Sequence, residues 1–490
     1  MKKHKKIGQW ETRISGHSQP FCLFSHRKAL RVLVVLVVVC TATARVFSLR
    51  PLSRPDEKQR QTKQSSNQKE GQVLLPVSEP LRTAQEVAAL KKEELELVEK
   101  LMREFPNSEK VFVIMGNLKF RHGDAIEALN FWNKALKINP KRTDVYRSMG
   151  WLFLKRGEFG ESIAQYRKAL ELEPQLPDVH SNIGHAFMMS GRHHEAVEEL
   201  EKELQVSPQS SFAYFLLGQT YLLQKEYQKA KEHYEAAIKI KPDYTNAYYG
   251  LACVCGNLGD SDKAKEYSAK FKSLKAEGRK GLKGRKIEYD DFVETQKSAA
   301  ITYINAGRMY RENGKLNEAE QLLKRAAGLD AENVVCFLEL ASLYQANGQP
   351  AKALEMHKKI SELQPESSIS YLFIGILSAH LKKFDDAEQA FSKMITLDPQ
   401  GSDGYRELAR LYLKTGQKLP QARQLAEKAV SLSSIAANYF VLGWACYANG
   451  DTASALPAVK RALELDPDNV QYLRLYQQIQ QRSSRYGPYR

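Results

Sequence analysis

Residues 211–244, SFAYFLLGQTYLLQKEYQKAKEHYEAAIKIKPDY, decide how the rest of the chain folds. Tyr214, Leu217 and Tyr221 recur three and four residues apart, the spacing of one buried stripe on a first helix. Gly218 beside that stripe and Ala230 in the following stretch are small enough for two helix backbones to approach closely. Pro242 cannot extend the second helix and ends it.

The same stretch recurs along the chain. Pro106, Pro140, Pro174, Pro208 and Pro242 are each 34 residues apart. On that ruler ten units begin at Glu109, Thr143, Pro177, Ser211, Thr245, Ala300, Val334, Ser368, Ser402 and Ala436. Position 8 of the units is Gly116, Gly150, Gly184, Gly218, Ala252, Gly307, Ala341, Gly375, Ala409 and Gly443, always Gly or Ala. Position 4 is aromatic in every unit except the third, where it is His180. Position 20 is Ala in all units but the second, which has Ser162; in the ninth unit one inserted residue near Leu419-Pro420 moves the equivalent to Ala422. Gly123-Asp124, Gly157-Glu158 and Gly314-Lys315 supply turns inside the hairpins. A single helical hairpin cannot bury both of its faces, so neighbours must stack into a solenoid.

This pattern resembles the tetratricopeptide repeat over residues 109–467, with residues 83–105 like a lone second helix ahead of the first unit. The expected fold class is therefore all-α, a right-handed superhelical solenoid of about ten hairpins in two five-repeat arrays, preceded by one transmembrane helix. The family is defined by packing residues rather than a shared activity, so the resemblance implies a protein or peptide partner without naming it. One subgroup grips carboxylate tails with a clamp of Lys and Asn side chains. Here the clamp positions hold Val113, Asn117, Ser148, Asp178 and Asn182, of which only Asn117 fits. Another subgroup carries a ladder of Asn at position 6, which this chain has only at Asn182 and Asn305.

Outside the repeats the sequence changes character. Residues 1–28 form a basic tail and residues 29–47 an apolar segment whose uncharged centre runs from Val32 to Ala44. The nineteen residues from Ala29 to Phe47 span about 28 Å as helix, enough for a hydrocarbon core if Arg31 and Arg45 snorkel. This reads as a signal anchor with a cytoplasmic N-terminus and the repeats on the outer, periplasmic or lumenal side. Ala42-Thr43-Ala44 alternatively marks a signal cleavage site and a secreted product. Residues 48–82, rich in Pro, Gln and Ser, are expected to be a disordered linker. The arrays follow at 83–274 and 298–469, joined by a basic flexible joint at 275–297, with a capping helix and basic tail at 470–490.

Net charge is +16, yet residues 1–60 hold 13 Lys and Arg against 3 Asp and Glu, and residues 275–288 hold 6 against 2. The repeats are thus close to neutral, and no aromatic residues interleave with the basic run to stack bases, so no nucleic acid is expected. Six cysteines without a CxxC pair exclude a zinc ribbon or a disulfide-stapled scaffold. HExxH, GxSxG and Gly-rich phosphate loops are missing from the sequence, and His193-His194 reads as solvated surface. The expected protein is a membrane-anchored scaffold with no catalysis and no cofactor; the alternative is a secreted or periplasmic accessory subunit of a secretion or polysaccharide export system. In units two to four the groove positions of the first helices include Trp151, Leu154, Met188, Met189, Phe212, Phe215, Leu216, Leu222 and Leu223. That apolar stripe is either a partner-binding groove or, if curvature buries it, packing.

Overall fold

A computed structural model describes residues 79–282 and 287–485, and all of them belong to one compact unit. The basic tail, the apolar segment 29–47 and the linker up to residue 78 lie outside the described residues, as do 283–286 and 486–490. Among the described residues there are twenty-two helices and no strand. No helix among them is long and apolar enough to cross a membrane.

The first helix, α1 (Glu79–Glu104), stands alone. Array one then runs as five hairpins: α2 (Glu109–Arg121) with α3 (Ala125–Ile138), α4 (Thr143–Arg156) with α5 (Phe159–Leu172), α6 (Val179–Met189) with α7 (His193–Val206), α8 (Ser211–Leu223) with α9 (Tyr227–Ile240), and α10 (Thr245–Asn257) with α11 (Ser261–Leu282). Array two pairs α12 (Ile287–Glu312) with α13 (Leu316–Leu329), α14 (Val334–Ala346) with α15 (Pro350–Leu363), α16 (Ser368–His380) with α17 (Phe384–Leu397), α18 (Ser402–Thr415) with α19 (Leu419–Leu432), and α20 (Ala436–Ala448) with α21 (Thr452–Leu465). The last helix, α22 (Val470–Arg485), covers α21 with Tyr472, Leu475 and Ile479 buried.

Residues 275–297, expected as a flexible joint, are instead helical on both sides of 283–286: α11 runs on to Leu282 and α12 opens at Ile287. The end of α11 is rich in Lys, Ala, Glu and Arg, good helix formers, and Gly278 and Gly281 at about 1 kcal/mol each do not break it before Leu282.

The small residues at position 8 have a direct cause. A Cβ placed on Gly218 would stand 2.6 Å from the Tyr234 ring, and one on Gly250 in the next hairpin 2.4 Å from the same ring. Tyr234, fully buried, is therefore gripped between two backbones. Phe391 against Gly375, at 2.4 Å, repeats the first of these contacts in array two. Turns inside the hairpins need one left-handed residue, such as Gly157 at φ 75°. Units four and eight place Lys225 and Lys382 there at φ 63° and 59°. Unit three opens late, at Val179, because buried Glu203 accepts hydrogen bonds from the backbone N–H of Asp178 (2.8 Å) and Ser181 (3.2 Å) and caps the helix there.

The junction between the arrays departs from simple stacking. Helix α1 packs on both α2 and α12, so the first hairpins of the two arrays meet over it. Leu90, Val98 and Leu101 of α1 join one core with Val111, Ile114 and Leu118 of α2 and with Ala299, Tyr303, Ile304 and Tyr310 of α12. Glu94 sits inside this core with 2% of its surface exposed. It accepts from Thr302 Oγ1 at 2.5 Å and pairs with Arg121, whose Nη2 also donates to Thr302 Oγ1 at 2.7 Å. Around it Arg325 forms a two-pronged pair with Glu93 (3.1 and 2.8 Å), and Glu104 accepts from Lys315 Nζ (2.7 Å) and Tyr310 OH (3.1 Å). Phe105 meets Tyr310 edge to face at 5.7 Å.

Candidate partner-binding surfaces

The first helix of each hairpin carries the nine residues singled out by the sequence, and the structure separates them into three groups. Leu154, Met188, Phe215 and Leu216 belong to the buried core of array one; Leu216 is only 1% exposed. For these four the expectation of a groove lining is corrected. Neighbouring helices cover them, and Phe215 packs against Tyr234 and Tyr244 with ring centroids at 5.9 and 4.9 Å. Trp151, Phe212 and Leu222 are half-buried, resting on that core with one side open. Met189 and Leu223 are 55% and 56% exposed and occupy the same repeat position in adjacent hairpins. Together these five side chains leave apolar surface in three consecutive units, with Lys155 Nζ lying 4.7 Å over the Trp151 ring and His185 edge-on to Phe212 at 6.4 Å.

Array two presents a different chemistry on its first helices. Glu339 is gripped by Arg308 Nε (2.7 Å) and Arg311 Nη1 (2.6 Å). On α18, Arg406 lies between Asp403 and Glu407 (2.5 and 3.0 Å), and Arg410 reaches Glu407 at 3.0 Å. Burial works against the Arg406 cation, but Glu407 and Asp403 more than offset it and hold its pKa above the usual guanidinium value. Lys414, one turn on, has its pKa lowered by burial and by Arg410. The guanidinium groups are thus paired with carboxylates of the same or the next unit.

Burial raises the thiol pKa of Cys255 and Cys446 and pushes Cys336 up to about 12, so these thiols stay protonated and poor nucleophiles. Among the described residues no three His, Cys, Asp or Glu side chains are placed to hold a metal ion. His194 pairs at 3.5 Å with Glu198 on the exposed side of α7.

Five family models match the hairpins. The TPR repeat model covers residues 150–191, and tetratricopeptide repeat models cover 175–243, 233–266, 310–372 and 436–469. The hairpins within 150–266, 310–372 and 436–469 match tetratricopeptide repeats. No curated protein matches the chain. Among solved structures, these tetratricopeptide repeats are similar to MamA from Desulfovibrio magneticus RS-1, at 20% identity over 34% of this chain and 96% of that one, with a TM-score of 0.33. The yeast Tom70 structure aligns over 81% of this chain and 98% of its own at 16% identity and a TM-score of 0.33. Cut9 in the APC/C hetero-tetramer Cut9-Hcn1 aligns over 78% and 92% at 13% identity and 0.32. At those scores the likenesses say nothing about what this chain binds.

The α1 junction was not anticipated from sequence, although a signal existed. Glu94 falls one turn from both Leu90 and Val98, in the middle of an apolar stripe. A carboxylate at such a place requires a buried cationic partner from elsewhere in the fold.

Proposed function

We propose that the chain is a non-catalytic scaffold that holds a protein partner along a groove formed by the first helices of tetratricopeptide units two to four. The observation that carries this reading is the pair Met189 and Leu223, large apolar side chains more than half exposed at one repeat position in successive hairpins. Trp151, Phe212 and Leu222 extend the surface they form. Flexible methionine and aromatic side chains suit an apolar helix or peptide face. Residues 29–47 anchor the scaffold in a membrane, with the repeats on the outer side; the uncharged run from Val32 to Ala44 supports this part of the reading.

Replacing Met189 and Leu223 together by Ser tests the groove. Binding to the partner captured by crosslinking from membranes should weaken by about tenfold or more, ~1.4 kcal/mol, with little change in melting temperature. Undiminished binding by a folded double variant would refute it. Mass spectrometry of the native N-terminus tests the anchor: a chain beginning at Arg45 would replace the anchored form by a secreted one.

A further inference from the structure

The fifth unit is unlike the other nine. At positions 8, 20, 24 and 27 every other unit is buried, because the helices of the hairpin and the first helix of the next unit close over them. In unit five these positions are Ala252, Ala264, Ser268 and Phe271, and all four are half open. The reason is the junction: α12, the next first helix in the chain, packs on α1, and no described helix covers the outer face of α10 and α11. The side chains also differ. Position 24 holds Trp132, Tyr166, Leu200 and Tyr234 in units one to four, each filling the space against its position 8. Ser268 fills almost none of it. A hollow of about 420 Å³ results, lined by Tyr249, Ala252, Cys253, Ala264, Ser268, Phe271 and Lys272.

The rim is mainly basic, although Lys265 Nζ stands 3.8 Å from the Asp262 carboxylate. On the helical wheel of α11, Lys265, Lys272 and Lys275 flank the face centred on Ser268, and all three are exposed. Lys275 Nζ lies 5.2 Å over the Phe271 ring, and Tyr249, 58% exposed, packs on the same ring at 5.4 Å. An equivalent face of a second copy would bring like charges together, which disfavours self-docking. We propose that the outer face of α10 and α11 is a docking seat for an acidic amphipathic helix of another protein, which places one large apolar side chain in the hollow over Ser268 and carboxylates against Lys265, Lys272 and Lys275. This seat is separate from the Met189–Leu223 surface and stands or falls independently of it. Its geometry is that of every other joint in the arrays, where a helix covers the same four positions.

The test uses the full chain and a fluorescent, covalently stapled helical peptide of about 18 residues, five turns, with Phe at its centre and Glu on both flanks. A second peptide replaces Glu by Lys. The acidic peptide should bind at least tenfold more tightly than the basic one by fluorescence anisotropy, and the preference should shrink as salt is raised. Ser268→Leu, which supplies a side chain already used at this position in units three and six, should weaken acidic-peptide binding tenfold or more without lowering the melting temperature. Lys272→Glu, at an exposed position that cannot unfold the array, should reduce it several-fold. Met189→Ser with Leu223→Ser should leave it unchanged. Equal binding of the two peptides, no binding of the acidic peptide at ~1 mM, or binding untouched by both Ser268→Leu and Lys272→Glu overturns the proposal. So does sedimentation showing a wild-type dimer that Ser268→Leu dissociates, which would assign the seat to a second copy.

Discussion

Glu94→Ala should open the joint between the arrays. The carboxylate is buried where α1, α2 and α12 meet, and it is the common partner of Arg121 and Thr302, with His122 Nε2 a further 3.7 Å away. Removing it leaves the Arg121 guanidinium facing Thr302 and a closed apolar core. Breaking a buried pair by deleting one partner costs about 3–5 kcal/mol. Arg121 keeps 24% of its side chain in solvent, so a loss at or just below the lower end of that range is expected, ~2–3 kcal/mol. The loss should be local. Arrays of this kind are stabilised through nearest-neighbour interfaces, and the core of units two to five is separate from the core around α1. Urea unfolding followed by hydrogen exchange should therefore show α1 and the C-terminal half of α12 losing protection first, while α5 to α9 keep theirs. Glu94→Leu should recover part of the loss only when Arg121 is also made apolar, because the pair and not the charge alone fills the space. If Glu94→Ala changes stability by less than ~0.5 kcal/mol, or destabilises all hairpins equally, the joint described above does not hold the arrays together.

Three further outcomes follow from single contacts. His357 is buried, stacks on Phe373 at 4.7 Å, and has a pKa pushed down to about 4 by burial; its folded pKa lies below the unfolded value, so stability is full above pH ~6.5 and falls by about 3 kcal/mol as pH drops to 4, a loss that His357→Phe should remove from the pH titration of denaturant midpoints. Lys225→Gly and Lys382→Gly relieve a left-handed conformation that costs a side chain about 1–2 kcal/mol, less the entropy of glycine, so each should raise stability by about 0.5–1 kcal/mol in thermal melts. Phe215→Ala, a truncation in the core, should cost about 3–4 kcal/mol in urea unfolding whereas Met189→Ala costs under ~0.5, and equal losses would contradict their different burial.

The hairpins were legible because their signal is steric and periodic: the place of Gly218 against Tyr234 recurs every 34 residues within each array, and only Gly or Ala occupies it. The exposure of the proposed groove was legible only in part. Positions 5, 6, 12 and 13 of the first helix all point towards one side, and whether a neighbour covers them depends on how closely the helices pack, which separated buried Leu216 from exposed Leu223. The α1 joint and the open face of unit five could not be read from the repeat pattern. Both arise because α12 packs on a helix slightly more than 200 residues upstream rather than on α11 before it, and a ruler that measures local spacing carries no information about that choice.

The scaffold reading is tested most directly by a photo-crosslinking residue placed at Leu223, with Ile126, also exposed but on a second helix of unit one, as the control. Illumination of intact membranes should join Leu223, and not Ile126, to one discrete protein, and that adduct should disappear with Trp151→Ala and Met189→Ser. Equal labelling at both positions, or an adduct at Leu223 that survives those substitutions, would contradict a partner held along the first helices of units two to four.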